Sequence, residues 1–124
     1  RLAPDMVAAN VYLGHLLAKL QRPKEAVGYL EKAIEIDPRN VAAHENLMMV
    51  FAQTGQPAKG IQIGLRAITL NPKSFETRFN LGLLLVQNQQ YADGILQLRE
   101  AQKIRPNDPR PTQQIRQIEA ALRK

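Results

Sequence analysis

The chain has 124 residues, 44% of them apolar and 5% aromatic, and its 17 Lys and Arg outnumber 11 Asp and Glu for a formal charge of +6. No run of eighteen apolar residues exists to read as a membrane-spanning helix, and the absence of cysteine excludes disulfides and thiolate metal sites. The positive balance admits attraction to an acidic partner or nucleic acid. The cations are nevertheless scattered among acids, as at Glu31 and Lys32 or Glu100 and Lys103, which reads as a solvated surface.

Apolar residues recur at helical spacing from the start: Leu13, Leu16, Leu17 and Leu20, then Ala26, Val27, Leu30, Ala33 and Ile34. The pattern predicts helices at 7–20, 24–37, 41–54, 58–71, 75–88 and 92–105, with a seventh from about 110 to 123. Gln21-Arg22-Pro23 and Thr54-Gly55-Gln56-Pro57 each end one helix and start the next. Proline suits a first helical position, where its missing N–H would have no partner in the helix anyway. Asp37-Pro38, Asn71-Pro72 and Arg105-Pro106 close the second helix of each pair, because proline restricts the preceding residue and cannot extend the helix. The opening RLAPDM has neither an initiator Met nor an apolar signal core. Compartment is left open, cytoplasm and bacterial periplasm suiting the composition equally.

Prolines recur at an interval of 34 residues, at Pro4, Pro38, Pro72 and Pro106. Other columns keep step with them: Leu2, Ile36, Leu70 and Ile104; Ala33, Ala67 and Ala101; the small Ala26, Gly60 and Gly94; and Leu13, Leu47 and Leu81. A fixed period of this length marks stacked two-helix units, each needing its neighbours to bury an apolar face.

These columns resemble the tetratricopeptide repeat family. The first unit carries Leu13-Gly14, Ala26, Leu30, Ala33 and Asp37-Pro38; the third carries Leu81-Gly82, Tyr91, Gly94, Leu98, Ala101 and Pro106. The second departs most, with Met48 in the small column of the first helix and Gly64 in a large column of the second. All three lack the family's aromatic early in the first helix, having Asn10, His44 and Arg78. The resemblance implies an all-α, right-handed solenoid of helix-turn-helix pairs forming one domain. Residues 1–6 read as the tail of a preceding repeat, 7–40, 41–74 and 75–108 as three units, and 109–124 as a C-terminal capping helix. Close helix crossings are expected where Gly14 and Gly82 face Ala26 and Gly94. Arg116 stands in that glycine column and bars a close crossing by any further helix.

Nothing in the pattern supports catalysis, and the chain reads as a non-enzyme without cofactor. His15 and His44 fall in different columns, so they need not converge on a metal. Glu31 and Glu35 lie one turn apart on a solvated face, and no glycine-rich phosphate loop exists because the glycines are separated by helical sequence.

The resemblance places the working surface on the concave face, lined by the first helix of each pair. The mapped columns give Val11, Tyr12 and His15; Glu45, Asn46 and Met49; and Glu76, Phe79, Asn80 and Leu83. Phe79 and Leu83 are expected to be its chief apolar anchors. Asn46 and Asn80 share a column, resembling the asparagine ladder of the O-GlcNAc transferase repeat domain with two rungs, Tyr12 taking the third. The basic clamp of Hsp70- and Hsp90-binding members is absent: its columns hold Val11, His15, Asn46, Glu76 and Asn80, and Glu76 would repel a terminal carboxylate.

Three functions follow as expectations. The first is a protein-interaction module holding a peptide or helix of a partner, or of its own chain, in the groove. The second is a structural spacer or self-assembly segment of a longer array. The third, a basic surface for nucleic acid or an acidic polymer, lacks any motif or aromatic interleaving. Self-association is expected through the N-terminal end, with Leu2, Val7, Val11 and Leu17 as its exposed surface.

Overall fold

The computed structural model describes the backbone of residues 2–124 and the side-chain surroundings of residues 6–124. Seven helices follow one another: α1 (Leu2–Lys19), α2 (Pro23–Ile36), α3 (Val41–Gln53), α4 (Pro57–Leu70), α5 (Phe75–Gln87), α6 (Tyr91–Ile104) and α7 (Arg110–Leu122). No strand occurs among the described residues. The helices pair as α1–α2, α3–α4 and α5–α6, each pair stacks on the next, and α7 lies against α6. The architecture is an all-α solenoid. Residues 2–6, read from the sequence as the tail of an earlier repeat, are helical and continuous with α1.

The turns within pairs are one motif repeated. Gln21, Gly55 and Gln89, each 34 residues apart, adopt φ of 64°, 69° and 66°. Beside them the Arg22, Gln56 and Gln90 N–H groups donate to the Leu17, Phe51 and Leu85 carbonyls at 2.9, 2.9 and 2.8 Å. A left-handed residue followed by this six-to-one bond is the Schellman closure of a helix, which occupies carbonyls that would otherwise lack partners. Between pairs, the Asn40 and Ser74 side chains accept from the Ala43 and Thr77 N–H groups at 2.8 and 3.2 Å and so start α3 and α5.

The core consists of clusters that straddle unit boundaries. One joins Leu17, Ala26 and Leu30 to Leu47, Val50 and Phe51. A second joins Met48 and Ile61 to Leu81, Leu84 and Leu85, and a third joins Phe75, Phe79, Leu98 and Ala101 to Ile115 and Ile118. A unit therefore buries its apolar face only in company, as a linear repeat requires.

Helix crossings follow the small columns. A Cβ at Gly82 would lie 3.1 Å from the Gly94 carbonyl oxygen, and one at Gly94 would lie 2.9 Å from that of Gly82, so these glycines do face each other. A Cβ at Gly14 would meet Leu30 first, 2.5 Å from its Cγ, as one at Gly82 would meet the equivalent Leu98 Cγ at 2.9 Å. In the second unit the sizes are reversed. Met48 is fully buried, and a Cβ at Gly64 would stand 2.8 Å from its sulfur. The two departures of that unit fill one another.

Candidate functional site

The first helices of successive pairs, α1, α3 and α5, present the residues mapped to the concave face, and the structure divides those residues into two sets. Val11, Tyr12 and His15 of α1 and Asn46 of α3 line one open cleft of about 540 Å³, with Asn40 and Ala42 at its end. A narrower cleft of about 190 Å³ continues from it along the same helices, sharing His15 and Asn46 and adding Met49, Lys19 and Gln53. Together they form a groove between α1 and α3. Its walls are largely apolar: Tyr12 is 65% exposed and Met49 38%. Asn46 supplies a donor and an acceptor to the shared stretch, and His15 a ring nitrogen of either kind.

The second set is committed to holding the solenoid together. Phe79, expected as an exposed anchor, is only 7% exposed. It stacks on Phe75 with ring centroids 5.8 Å apart, and the same cluster contains Ile115 and Ile118 of α7. Its column points between neighbouring first helices, and the aromatic ring is long enough to reach α7. Leu83 packs half-buried on the edge of that cluster. Glu45 accepts hydrogen bonds from the hydroxyls of Ser74, at 3.0 Å, and Thr77 of the next unit. Thr77 is wholly buried, so the carboxylate satisfies a hydroxyl that would otherwise lack water.

Glu76 is engaged as well. Its carboxylate pairs with Arg110 at 3.1 Å and Arg105 at 3.5 Å. Both guanidiniums lie over the Phe75 ring, at 4.5 Å for Arg105 and 5.0 Å for Arg110, and Arg110 is also 5.0 Å from the Phe79 ring. Cations favour the negative face of an aromatic ring. Asp108 joins the cluster at 3.0 Å from Arg110, whose hydrogen bonds hold that carboxyl below its ordinary value. The arrangement ties the α6–α7 loop to α5 and leaves its charges mutually compensated. Asn80 is half-buried and is not among the groove's lining residues, so only Asn46 of the two ladder positions borders the cleft.

The two histidines are separate, as their columns indicate. His15 borders the groove, whereas His44 is 2% exposed with Nδ1 2.8 Å from the Asn40 carbonyl oxygen. Among the described residues no three His, Asp or Glu side chains gather as a metal-binding group. Sequence reasoning missed Asn40 and Ala42 as groove residues, because both stand at or near the start of α3, outside the columns used for mapping.

Among solved structures, the fold is similar to the first TPR of Spaghetti (RPAP3) bound to an HSP90 peptide, SRMEEVD, with a TM-score of 0.92 at 18% identity, covering 97% of this chain and 95% of that one. It is also similar to the first TPR domain of the human RPAP3 protein, with a TM-score of 0.90 at 20% identity and coverage of 96% and 94%. YrrB, described as a TPR protein with an unusual peptide-binding site, gives 0.81 at 21% identity, with coverage of 86% and 55%. At such identities the likeness speaks for the fold. No curated protein matches the sequence. Family models described as tetratricopeptide repeat match residues 7–40 and 65–109, well over half of the chain in sum. The 34-residue period, the paired helices and these matches agree, and the chain belongs to the tetratricopeptide repeat family.

Proposed function

We propose that the chain is a non-catalytic protein-interaction module whose α1–α3 groove holds a short segment of a partner protein. The observation that carries this reading is the continuous, mainly apolar cleft whose two parts share His15 and Asn46. Tyr12 and Met49 offer apolar surface to an occupant, and such surface in a concave setting with a few polar groups is what peptide recognition uses. The Asn46 amide can bracket one backbone peptide group of an extended segment. The neighbours with HSP90 peptide or an unusual peptide-binding site make peptide binding a natural use of the fold. A carboxylate clamp is not part of the proposal, since Val11 and Glu76 hold two of its columns and Glu76 is already paired with arginine. Phe79 and Leu83 act by shaping the solenoid and not as anchors of the occupant.

The test is selection from a random peptide library, followed by titration of the tightest peptide. Tyr12→Ala and Met49→Ala should weaken binding about tenfold each, as buried apolar anchors do. Asn46→Ala should weaken it about fivefold, the value of one hydrogen bond near 1 kcal/mol. Leu65→Ala, on exposed surface of α4, should change nothing. Selected peptides that bind all these variants equally would sink the groove assignment.

A further inference from the structure

The groove between α1 and α3 is built in layers, because the two helices present matching columns 34 residues apart. Ala8 and Ala42 stand at one end, Tyr12 and Asn46 follow, then His15 and Met49, and Lys19 and Gln53 stand at the other end. Of the residues expected from the sequence to be exposed for self-association, Val7 and Leu17 are buried against the chain's own core, Val11 lines this groove, and Leu2 lies outside the residues whose surroundings are described.

The two ends differ in chemistry. Ala8, Val11, Tyr12 and Ala42 make the wider end mainly apolar. Lys19 makes the narrower end positive, and no Asp or Glu lines either part of the groove. Glu45 of α3 is turned away to the Ser74 and Thr77 hydroxyls. Elsewhere cations are engaged: Glu25, Glu100 and Glu76 hold Arg22, Lys103 and Arg110. Lys19 is exposed and pairs with no carboxylate among the described residues.

Its position gives that charge a particular weight. Lys19 closes the last turn of α1, and Gln53, in the same column, is the last residue of α3. Both helices therefore bring their partially negative C-terminal ends to this end of the groove. A carboxylate arriving there is repelled by the helix ends and attracted by Lys19, so the lysine decides the sign.

Resting on the groove assignment above, we infer that the occupant is an extended acidic–apolar segment, with an apolar side chain at the Tyr12 layer and the side-chain carboxylate of an Asp or Glu at Lys19. Tyr12 and Lys19 lie about 10 Å apart along α1 at 1.5 Å of rise per residue. An extended chain covers that distance in about three or four residues, which sets the spacing between the apolar residue and the acid. The carboxylate belongs to a side chain, so the segment can be internal to the partner, and Lys19 lies outside the columns of the terminal-carboxylate clamp. The charge of +6 draws an acidic segment towards the chain, and the groove's unpaired lysine gives it a register.

The test is selection on the whole 124-residue chain from a synthetic random peptide library amidated at the C-terminus, so that no terminal carboxylate is offered. Selected peptides should carry an Asp or Glu about three or four residues from an apolar residue. Replacing that acid by its amide should weaken binding about fivefold, the upper range for an exposed ion pair. Raising the salt from about 0.1 to 1 M, which shortens the screening length from about 10 to 3 Å, should bring the acidic peptide down to its amide. Lys19→Met, which keeps the apolar stem, should remove the preference for the acid, and Lys19→Glu should select Lys or Arg in its place. Peptides weakened by Tyr12→Ala and Met49→Ala that carry no acid, or whose acid preference survives Lys19→Met, would overturn the charge assignment and leave the groove standing. Binding indifferent to Tyr12, Met49 and Lys19 alike, or a library without any binder, would overturn both.

Discussion

The first and third units solve their helix crossing in one way, and the second solves it in another. In the first, Gly14 on the leading helix leaves room for Leu30 on the following one; in the third, Gly82 does the same for Leu98. In the second, the large side chain is Met48 on the leading helix and the vacancy is Gly64 on the following one. The total volume at the crossing is kept while its ownership changes hands. What a close crossing requires is one bulky and one minimal residue, and protein interiors tolerate such exchanges when volume is conserved. Column-by-column reading makes Met48 and Gly64 two faults. Read as a pair, they are one intact contact.

The sharpest way to break the comparison is to overfill a crossing. Gly82→Leu should destabilise the chain by about 3 kcal/mol or more, because its Cβ alone meets Leu98 Cγ at 2.9 Å and backbone oxygen at 3.1 Å. Urea melts would show it, with the exposed Gln90→Leu within about 0.5 kcal/mol of neutral as a reference. Equal behaviour of the two would refute the crossing.

Next in size is the exchange itself. Met48→Gly leaves a cavity and should lose about 2–4 kcal/mol, and Gly64→Leu against an intact Met48 should lose about 1–3 kcal/mol. The double variant rebuilds the arrangement of the other units, and its stability should exceed the sum of the single effects by about 2 kcal/mol in a double-mutant cycle. Strict additivity would mean that the two residues are independent.

The smallest expected effect lies in the turns, where the second unit again stands apart. It alone has glycine at the left-handed position, Gly55, while Gln21 and Gln89 hold the same φ with a side chain. Gln89→Gly should stabilise by about 0.5–1 kcal/mol, since an L-residue is strained there. A thermal melt unchanged or lowered by this substitution would argue that the Gln89 side chain compensates for its backbone.

Much of the fold is legible in the sequence because it rests on periodicity. Seven helices, their order and most of their limits follow from Leu13, Leu47 and Leu81 keeping step with Pro38, Pro72 and Pro106. The site is less legible because a column states a direction and not what lies in that direction. Val11, Glu45 and Phe79 occupy equivalent positions on three helices. Val11 faces open groove, Glu45 meets the Ser74 and Thr77 hydroxyls, and Phe79 is roofed by α7. Each outcome depends on the helix that follows and on side-chain reach.

The Glu45 bridge separates two kinds of modularity. Asn40 and Ser74 cap their helices alike, so removing residues 41–74 would splice α2 to α5 in register, and both partners of the Met48–Gly64 exchange would leave together, along with their packing on Leu81. The bridge crosses a boundary. In the shortened chain Val11 would occupy the place of Glu45, and the buried Thr77 hydroxyl would face a hydrocarbon where it now meets a carboxylate. The units are interchangeable in backbone and individual in polar chemistry, so their order along the chain carries information that their shapes do not.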